Sequence, residues 1–228
     1  TAIGDSAFKH QYSFGKNYSS VTLPDTIKSI GEFAFWNTNI TSINLPDGLE
    51  NIGKGAFVGC NSITYRMSAN HPTFAVIEGA LYNKSQKKLI WGKEGAKIPE
   101  GIKIIGDYAC YEVPNCGINE EGIVLPSTIE EIGDYAFYGN KYSIKYSRAL
   151  SLFRTTVPKS NYPYLDLNVD PAKLIWGSNL QKIGSYAFAN ITIKTGFSTL
   201  ILPIPSSVSE IGKCCFSEFG VQAYQHTD

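Results

Sequence analysis

The sequence predicts a β-rich, right-handed solenoid with a parallel sheet along one face, and three observations predict it. A six-residue word, Ile-Gly-x-x-Ala-Phe, recurs at residues 3–8, 30–35, 52–57, 105–110, 132–137, 183–188 and 211–216, with Cys110 in the Phe place once and Cys215 in the Ala place once. A proline stands six residues before the Ile-Gly pair at Pro24, Pro46, Pro99, Pro126 and Pro205, and Gly177 takes that place once. Three residues after it comes an aliphatic side chain every time: Ile27, Leu49, Ile102, Ile129, Leu180 and Val208. Self-similarity at such an interval marks a chain of stacked units, none of which can bury its apolar face alone.

Each part of the unit has a physical reading. The couplets Val21 and Leu23, Ile43 and Leu45, and Ile123 and Leu125 alternate as a short strand with one face buried. Proline ends that strand because it has no N–H for a ladder. Apolar residues three apart, such as Ile129 and Ile132, turn the chain back inward. The glycine is expected to supply a tight or left-handed backbone. Asp5, Asp107, Asp134 or Ser185 follows it in four copies, which suits the cap of a helical turn. Ala-Phe, small then large, fills the interior: Ile30, Phe35, Ile52, Phe57, Ile105, Ile132, Phe137, Ile183, Phe188, Ile211 and Phe216 are the expected repeat core. Stacking puts strands about 4.8 Å apart, and right-handed coiling is the rule for parallel crossovers.

The repeat is interrupted twice. Ile52 and Ile105 stand 53 residues apart, and Ile132 and Ile183 stand 51 apart, against 22 to 28 elsewhere. The first interruption, about 68–97, carries Asn70-His71-Pro72-Thr73-Phe74, then apolar residues through Leu81-Tyr82, a polar turn at Asn83-Lys84-Ser85, and Leu89-Ile90-Trp91-Gly92. Two β-rich runs around a polar turn predict a hairpin. The second, about 138–176, repeats the words as Asn161-Tyr162-Pro163-Tyr164-Leu165 and Leu174-Ile175-Trp176-Gly177, and reads as a shortened copy of the first. The whole chain, 1–228, is expected to be one repeat domain. Its first motif, at Ile3, lacks the strand half, so upstream sequence is expected.

The Leu/Ile-Pro-x-x-Ile/Leu-x-x-Ile-Gly-x-x-Ala-Phe series, with Gly59-Cys60 after the third copy, resembles the leucine-rich repeats of the BspA-like type over nearly the whole chain. The resemblance implies a horseshoe-like leucine-rich-repeat solenoid with two irregular hairpin-like coils. It also implies a secreted or cell-surface bacterial protein that binds host proteins, glycans or other cells. Cys60 sits where that family commonly has a corner cysteine.

Composition narrows the alternatives. Twenty basic and twenty acidic residues cancel, so no net field draws the chain to nucleic acid or acidic membranes. No apolar run approaches the length of a membrane span, and a monomer with no direct membrane insertion is expected. Cys110 and Cys215 read as core thiols, with a Cys110–Cys116 bridge left open. No Cys-x-x-Cys points to zinc. His10, His71 and His226 read as surface histidines, since no hydrolase or phosphate-binding motif accompanies them. Asp166-x-Asn168-x-Asp170 opens like a calcium loop, but Pro171 and Gly177 replace the required Gly and Glu. No cofactor is expected. The sequons at Asn17, Asn39, Asn83 and Asn190 are usable only in a eukaryotic secretory route; Asn39 and Asn190 fall at the same polar corner after Ala-Phe, which explains their placement.

The candidate binding surface is the stretch holding Tyr138, Lys141, Tyr142, Lys145, Tyr146, Arg148, Arg154, Lys159, Tyr162 and Tyr164, with no acidic residue among them. Tyrosine and arginine together supply amphipathic contact area and charge. The bland alternative is a solvated crossover whose tyrosines pack on the next coil. The functional expectation is a non-enzymatic recognition or adhesion module. The alternative is a structural spacer of a larger surface protein, with an enzyme the least favoured class.

Overall fold

The computed structural model describes residues 1–11, 20–119, 122–143, 172–176, 178–195, 200–201 and 204–223. Among these the regular structure is a set of short strands and no helix. We number the repeats 1 to 7 by their Ile-Gly pairs.

The residue pair ending at the motif isoleucine forms the first ladder. Strands β1 (Ala2–Ile3), β3 (Ser29–Ile30) and β5 (Asn51–Ile52) pair in parallel, with Ile3 opposite Ile30 and Ile30 opposite Ile52. Strands β10 (Ile104–Ile105), β13 (Glu131–Ile132), β16 (Lys182–Ile183) and β19 (Glu210–Ile211) repeat this register in a second sheet. The couplet before the proline forms another set. Strands β2 (Ser20–Thr22), β4 (Ser42–Asn44) and β6 (Thr64–Arg66) pair in parallel, as do β12 (Gly122–Val124), β15 (Ala172–Ile175) and β18 (Leu200–Ile201). The antiparallel β11 (Ile118–Asn119) flanks β12. The longer C-terminal repeats add one more parallel ladder just after the turn: β14 (Lys141–Ser143), β17 (Thr192–Thr195) and β20 (Gly220–Ala223).

The core sits between these ladders. Ile30, Phe35, Phe57, Ile105, Ile132, Phe137, Ile183 and Phe188 are all buried. Ile52 and Phe216 are half-buried, and Ile211, on the outermost strand β19, is 48% exposed. The phenylalanines stack from repeat to repeat, Phe8 on Phe35 at 5.2 Å, Phe35 on Phe57 at 5.8 Å, and Phe137 on Phe188 at 5.1 Å.

Two local expectations are corrected. None of the motif glycines Gly31, Gly53, Gly106, Gly133, Gly184 and Gly212 has a positive φ. Glycine is required there because the repeats touch backbone to backbone: a Cβ on Gly184 would lie 2.5 Å from the carbonyl carbon of Gly133. The left-handed residues come two places later, at Ser6, Phe33, Gly55, Tyr108, Tyr135, Tyr186 and Cys214, and six places later, at His10, Asn37, Gly59, Glu112, Gly139, Asn190 and Glu218. The aspartate after the glycine does not cap its own turn either. Asp5 Oδ1 accepts the Glu32 N–H at 2.7 Å, Asp107 Oδ1 that of Asp134 at 2.9 Å, and Asp134 Oδ1 that of Ser185 at 2.7 Å. Each carboxylate thus closes a bond to the next repeat, a charge-assisted one.

The turns are themselves laddered. Tyr135, Phe137 and Gly139 donate their N–H groups to the carbonyls of Ser185, Ala187 and Ala189, and Tyr108, Cys110 and Glu112 do the same to Asp134, Ala136 and Tyr138. The consecutive pair Ala136 and Phe137 is buried, and Tyr135 and Tyr138 flank it on the outer side.

The first interruption is a three-stranded antiparallel meander, one strand more than the expected hairpin: β7 (Phe74–Ile77), β8 (Ala80–Asn83) and β9 (Lys88–Trp91). Glu78 and Gly79, both at positive φ, make the extra turn. Strand β9 pairs in parallel with β10, placing Leu89 opposite Ile105, so it occupies the place of an Ile-Gly strand. In the second interruption Leu174 and Ile175 lie opposite Ile123 and Val124, in the ladder before the proline. The two Leu-Ile-Trp-Gly runs therefore serve different strands, and the shared words do not mark equivalent places. The Asn161–Leu165 words lie outside the described residues.

His71 is fully buried, not a surface histidine. Its Nε2–H donates to the Pro46 carbonyl at 3.0 Å, and Nδ1 accepts the N–H groups of Thr73 and Phe74 at 3.1 and 3.2 Å. It fastens the meander to the preceding repeat through three bonds. His71→Leu leaves the buried Pro46 carbonyl and Phe74 N–H and the half-buried Thr73 N–H without this mate. We expect it to lose about 3 kcal/mol in urea unfolding, since each orphaned group costs roughly 1–3 kcal/mol; an unchanged midpoint would show the ring to be dispensable. His10 is exposed, and His226 lies outside the described residues. Cys110 and Cys116, both buried, are joined by a disulfide across 6.1 Å between Cα atoms, so Cys110 is not a free core thiol. Cys60 and Cys215 are buried and free, and Cys214 is exposed.

Candidate functional site: an aromatic double row

The residues flanking Ala-Phe, two and five places after the motif glycine, form two rows on the outside of the turns. In the first row Phe33 meets Tyr108 edge-on at 5.3 Å, Tyr108 stacks on Tyr135 at 5.0 Å, and Tyr135 on Tyr186 at 4.9 Å. In the second, Trp36 contacts Tyr111 at 5.9 Å and Tyr111 stacks on Tyr138 at 5.1 Å. The rows touch one another through Phe33 and Trp36, Tyr108 and Tyr111, and Tyr135 and Tyr138. All seven rings are half-buried. Repeat 3 supplies the floor instead of rings. It has Gly55 in the first row, where a Cβ would strike the Phe33 ring, and the buried Val58 in the second. That gap lets Phe33 of repeat 2 reach Tyr108 of repeat 4.

Phe33, Tyr108, Tyr135 and Tyr186 hold these positions with φ of 54–59°. A bulky side chain in the left-handed region is unusual and costs on the order of 1 kcal/mol or more, where glycine would cost little. Stacking returns roughly 0.5–1.5 kcal/mol per pair, so the rings approximately offset their own strain.

The electrostatic setting is acidic. Burial pushes the Tyr111 phenol up to about 12, with the neighbouring Glu112 charge adding to it. Tyr108 is raised by burial first, then by Tyr135 and the carboxylates of Asp107, Asp134 and Glu32. Lys9 places its ammonium 4.7 Å from the centroid of the Trp36 ring, a cation–π contact. The outer side of the first ladder is charged rather than aromatic, with pairs such as Lys103 Nζ to Glu130 Oε1 at 2.6 Å and Lys28 Nζ to Glu50 Oε1 at 3.1 Å. Exposed pairs of this kind contribute at most about 1 kcal/mol each.

Of the sequence-selected surface, Tyr138 is in the second row and Lys141 is exposed on β14; Tyr142 follows on the same strand. Lys145, Tyr146, Arg148, Arg154, Lys159, Tyr162 and Tyr164 lie outside the described residues, as does the Asp166–Asp170 stretch. Sequence reading missed Phe33, Trp36, Tyr108, Tyr111, Tyr135 and Tyr186. The signal was present in the words Phe-Ala-Phe-Trp, Tyr-Ala-Cys-Tyr and Tyr-Ala-Phe-Tyr, but it emerges only when the positions outside Ala-Phe are aligned on the motif glycine. Among the described residues no group of three or more His, Cys, Asp or Glu side chains gathers to hold a metal. No helix among them is long and apolar enough to cross a membrane.

Short parallel strands stacked at a fixed register, with isoleucine and phenylalanine ladders between them, define a leucine-rich-repeat protein. The model of the BspA-type leucine-rich repeat region matches residues 1–144 and 167–225 in six copies, and the chain belongs to that family. Solved structures similar to it include a leucine-rich cell surface protein from Faecalibacterium prausnitzii, 19% identical, covering 98% of this chain and 63% of that one at a TM-score of 0.44. A leucine-rich-repeat protein from Eubacterium ventriosum is 18% identical over 100% of this chain and 82% of its own, with a TM-score of 0.45. The pneumococcal vaccine antigen PcpA is 18% identical over 95% of this chain and 51% of its own, with a TM-score of 0.47. The chain thus spans less than two thirds of the first of these. Among curated protein sequences none matches it. Repeats of this family are typically protein-interaction modules rather than enzymes.

Proposed function

We propose that the chain is a non-enzymatic recognition or adhesion module of a cell-surface or secreted protein, and that it binds an extracellular host protein, a glycan or another cell. The observation that supports this reading is the aromatic double row. Seven large rings are kept half-exposed, four of them (Phe33, Tyr108, Tyr135 and Tyr186) at positive φ, and Tyr, Trp and Phe dominate recognition surfaces. The residues proposed to bind are those of the rows together with the basic, tyrosine-rich stretch of the sequence: Tyr138, Lys141, Tyr142, Lys145, Tyr146, Arg148, Arg154, Lys159, Tyr162 and Tyr164.

The test is binding to immobilised extracellular-matrix proteins, serum proteins and sulfated glycans, with two variants. One changes Lys141, Lys145, Arg148, Arg154 and Lys159 to serine, and the other changes Tyr111 and Tyr138 to serine. Saturable binding weakened at least tenfold in either variant is the expected result, since a central aromatic or Arg anchor is worth about 1.4 kcal/mol or more. Binding untouched by both would move the site elsewhere. Silence across the whole panel would favour a structural spacer with no ligand of its own.

A further inference from the structure

We propose that the stacked tyrosines form an oxidative cross-linking site, at which a one-electron oxidant, hydrogen peroxide turned over by a peroxidase, joins neighbours in a row as dityrosine and bonds one repeat covalently to the next. Three pairs are placed for it: Tyr108 with Tyr135 at 5.0 Å and 6° between ring planes, Tyr135 with Tyr186 at 4.9 Å and 8°, and Tyr111 with Tyr138 at 5.1 Å and 12°.

The reaction takes one hydrogen atom, as a proton and an electron, from each phenolic hydroxyl. Each phenoxyl radical carries spin on the carbons ortho to oxygen, and one carbon–carbon bond forms between an ortho carbon of each ring. The hydrogen on each bonded carbon then moves to its oxygen, which restores both phenols. Two tyrosines and one hydrogen peroxide give one dityrosine and two waters, so the linked chain is two hydrogens lighter. Two phenoxyl radicals in solution must meet by diffusion. Here they are held face to face by the backbone ladder, the proximity that makes a bimolecular step effectively unimolecular.

Half-exposure does the rest. A peroxidase product or small oxidant reaches the ring edges, and the same freedom lets the rings turn as the new bond regains its planar aromatic partners. Tyr135 touches Tyr108, Tyr186 and, within its own repeat, Tyr138 at 5.7 Å, so it is the ring shared by both first-row pairs. The core phenylalanines stack as closely, Phe137 on Phe188 at 5.1 Å, but have no hydroxyl hydrogen to lose. Tyr65 is buried edge-on against Phe57, without a tyrosine partner among the described ring contacts. The chemistry is therefore directed to the surface rows.

The test exposes the dilute, purified chain to a peroxidase and hydrogen peroxide. It reads the blue biphenol fluorescence and maps linked peptides by mass spectrometry. The expected product is a single chain two hydrogens lighter per link, with Tyr135 joined to Tyr108 or Tyr186 and Tyr111 joined to Tyr138. The double variant Tyr135→Phe with Tyr138→Phe keeps both rings stacked, and its folding is checked by its denaturation midpoint. In it the fluorescence should fall severalfold, while Tyr65→Phe leaves it unchanged. Links found only between chains or only at tyrosines outside the rows would overturn the proposal. So would an undiminished yield in the double variant.

Discussion

Gly184→Ala is expected to cost about 3 kcal/mol or more, at the upper end of what overpacking does to a close-packed interior. The added methyl group would lie 2.5 Å from the Gly133 carbonyl carbon, 2.6 Å from the Asp134 nitrogen and 2.7 Å from Asp134 Oδ1. None of these can retreat cheaply. The two repeats are clamped at this point by Gly184 N–H to the Ile132 carbonyl at 2.7 Å and by Ser185 N–H to Asp134 Oδ1 at 2.7 Å. Relieving the clash means lengthening both bonds at once. Gly4 has the same place in repeat 1, but nothing lies within 4 Å of its would-be Cβ. In a 228-residue chain with no repeat packed on this face, Gly4→Ala is expected to be neutral or to gain about 0.5 kcal/mol by restricting the unfolded chain. Urea midpoints of the two variants decide it. Equal effects would mean that the glycine serves backbone freedom after all and not the contact between repeats.

Phe188→Ala carries the second large effect, a loss of about 4 kcal/mol. The ring is fully buried, stacked on Phe137 at 5.1 Å and Phe216 at 5.7 Å, and met edge-on by Trp176 at 5.3 Å. Removing it opens a cavity between three repeats rather than within one. In a stacked array stability is the sum of each unit and its contacts with neighbours, so the loss should fall mainly on repeat 7. Hydrogen exchange is the measurement. Amides of residues 211–217 should exchange much faster, while those of repeats 2 and 3 stay protected. Uniform acceleration along the chain would show that the array unfolds as one block.

The inside of this protein was legible in the sequence because burial acts on every repeat alike. Ile105, Ile132, Ile183, Phe137 and Phe188 stand at fixed offsets from one glycine, and the same offsets place them in the core. The prolines after the couplets marked strand ends for an equally local reason, the missing N–H. Glycine in the Ile-Gly pair was legible as a requirement but not for its cause. Residue identity alone does not distinguish a backbone that needs positive φ from one that needs a neighbour close by.

The candidate site was legible only in part. Tyr138 and Lys141 stood out by composition, but the other six rings are spread from Phe33 to Tyr186 and gather only when repeats stack. The first interruption hid the connection. Phe33 and Tyr108 are 75 residues apart in sequence, and they meet because Gly55 and Val58 leave room over repeat 3.

By itself, then, the sequence determined the family, the inward residues and the strand-turn order of each unit, since these depend on spacing along one repeat. The tertiary structure alone decided what depends on the offset between repeats: the carboxylates that bond forward to the next repeat, the burial of His71 under the meander, the different ladders taken by Leu89 and Leu174, and the two aromatic rows. The physical reason is that periodicity reports which way a side chain points, whereas its neighbour on the next repeat is fixed by where the intervening chain returns. Between Ile52 and Ile105, and again between Ile132 and Ile183, that return is set by long segments that the repeat itself does not specify.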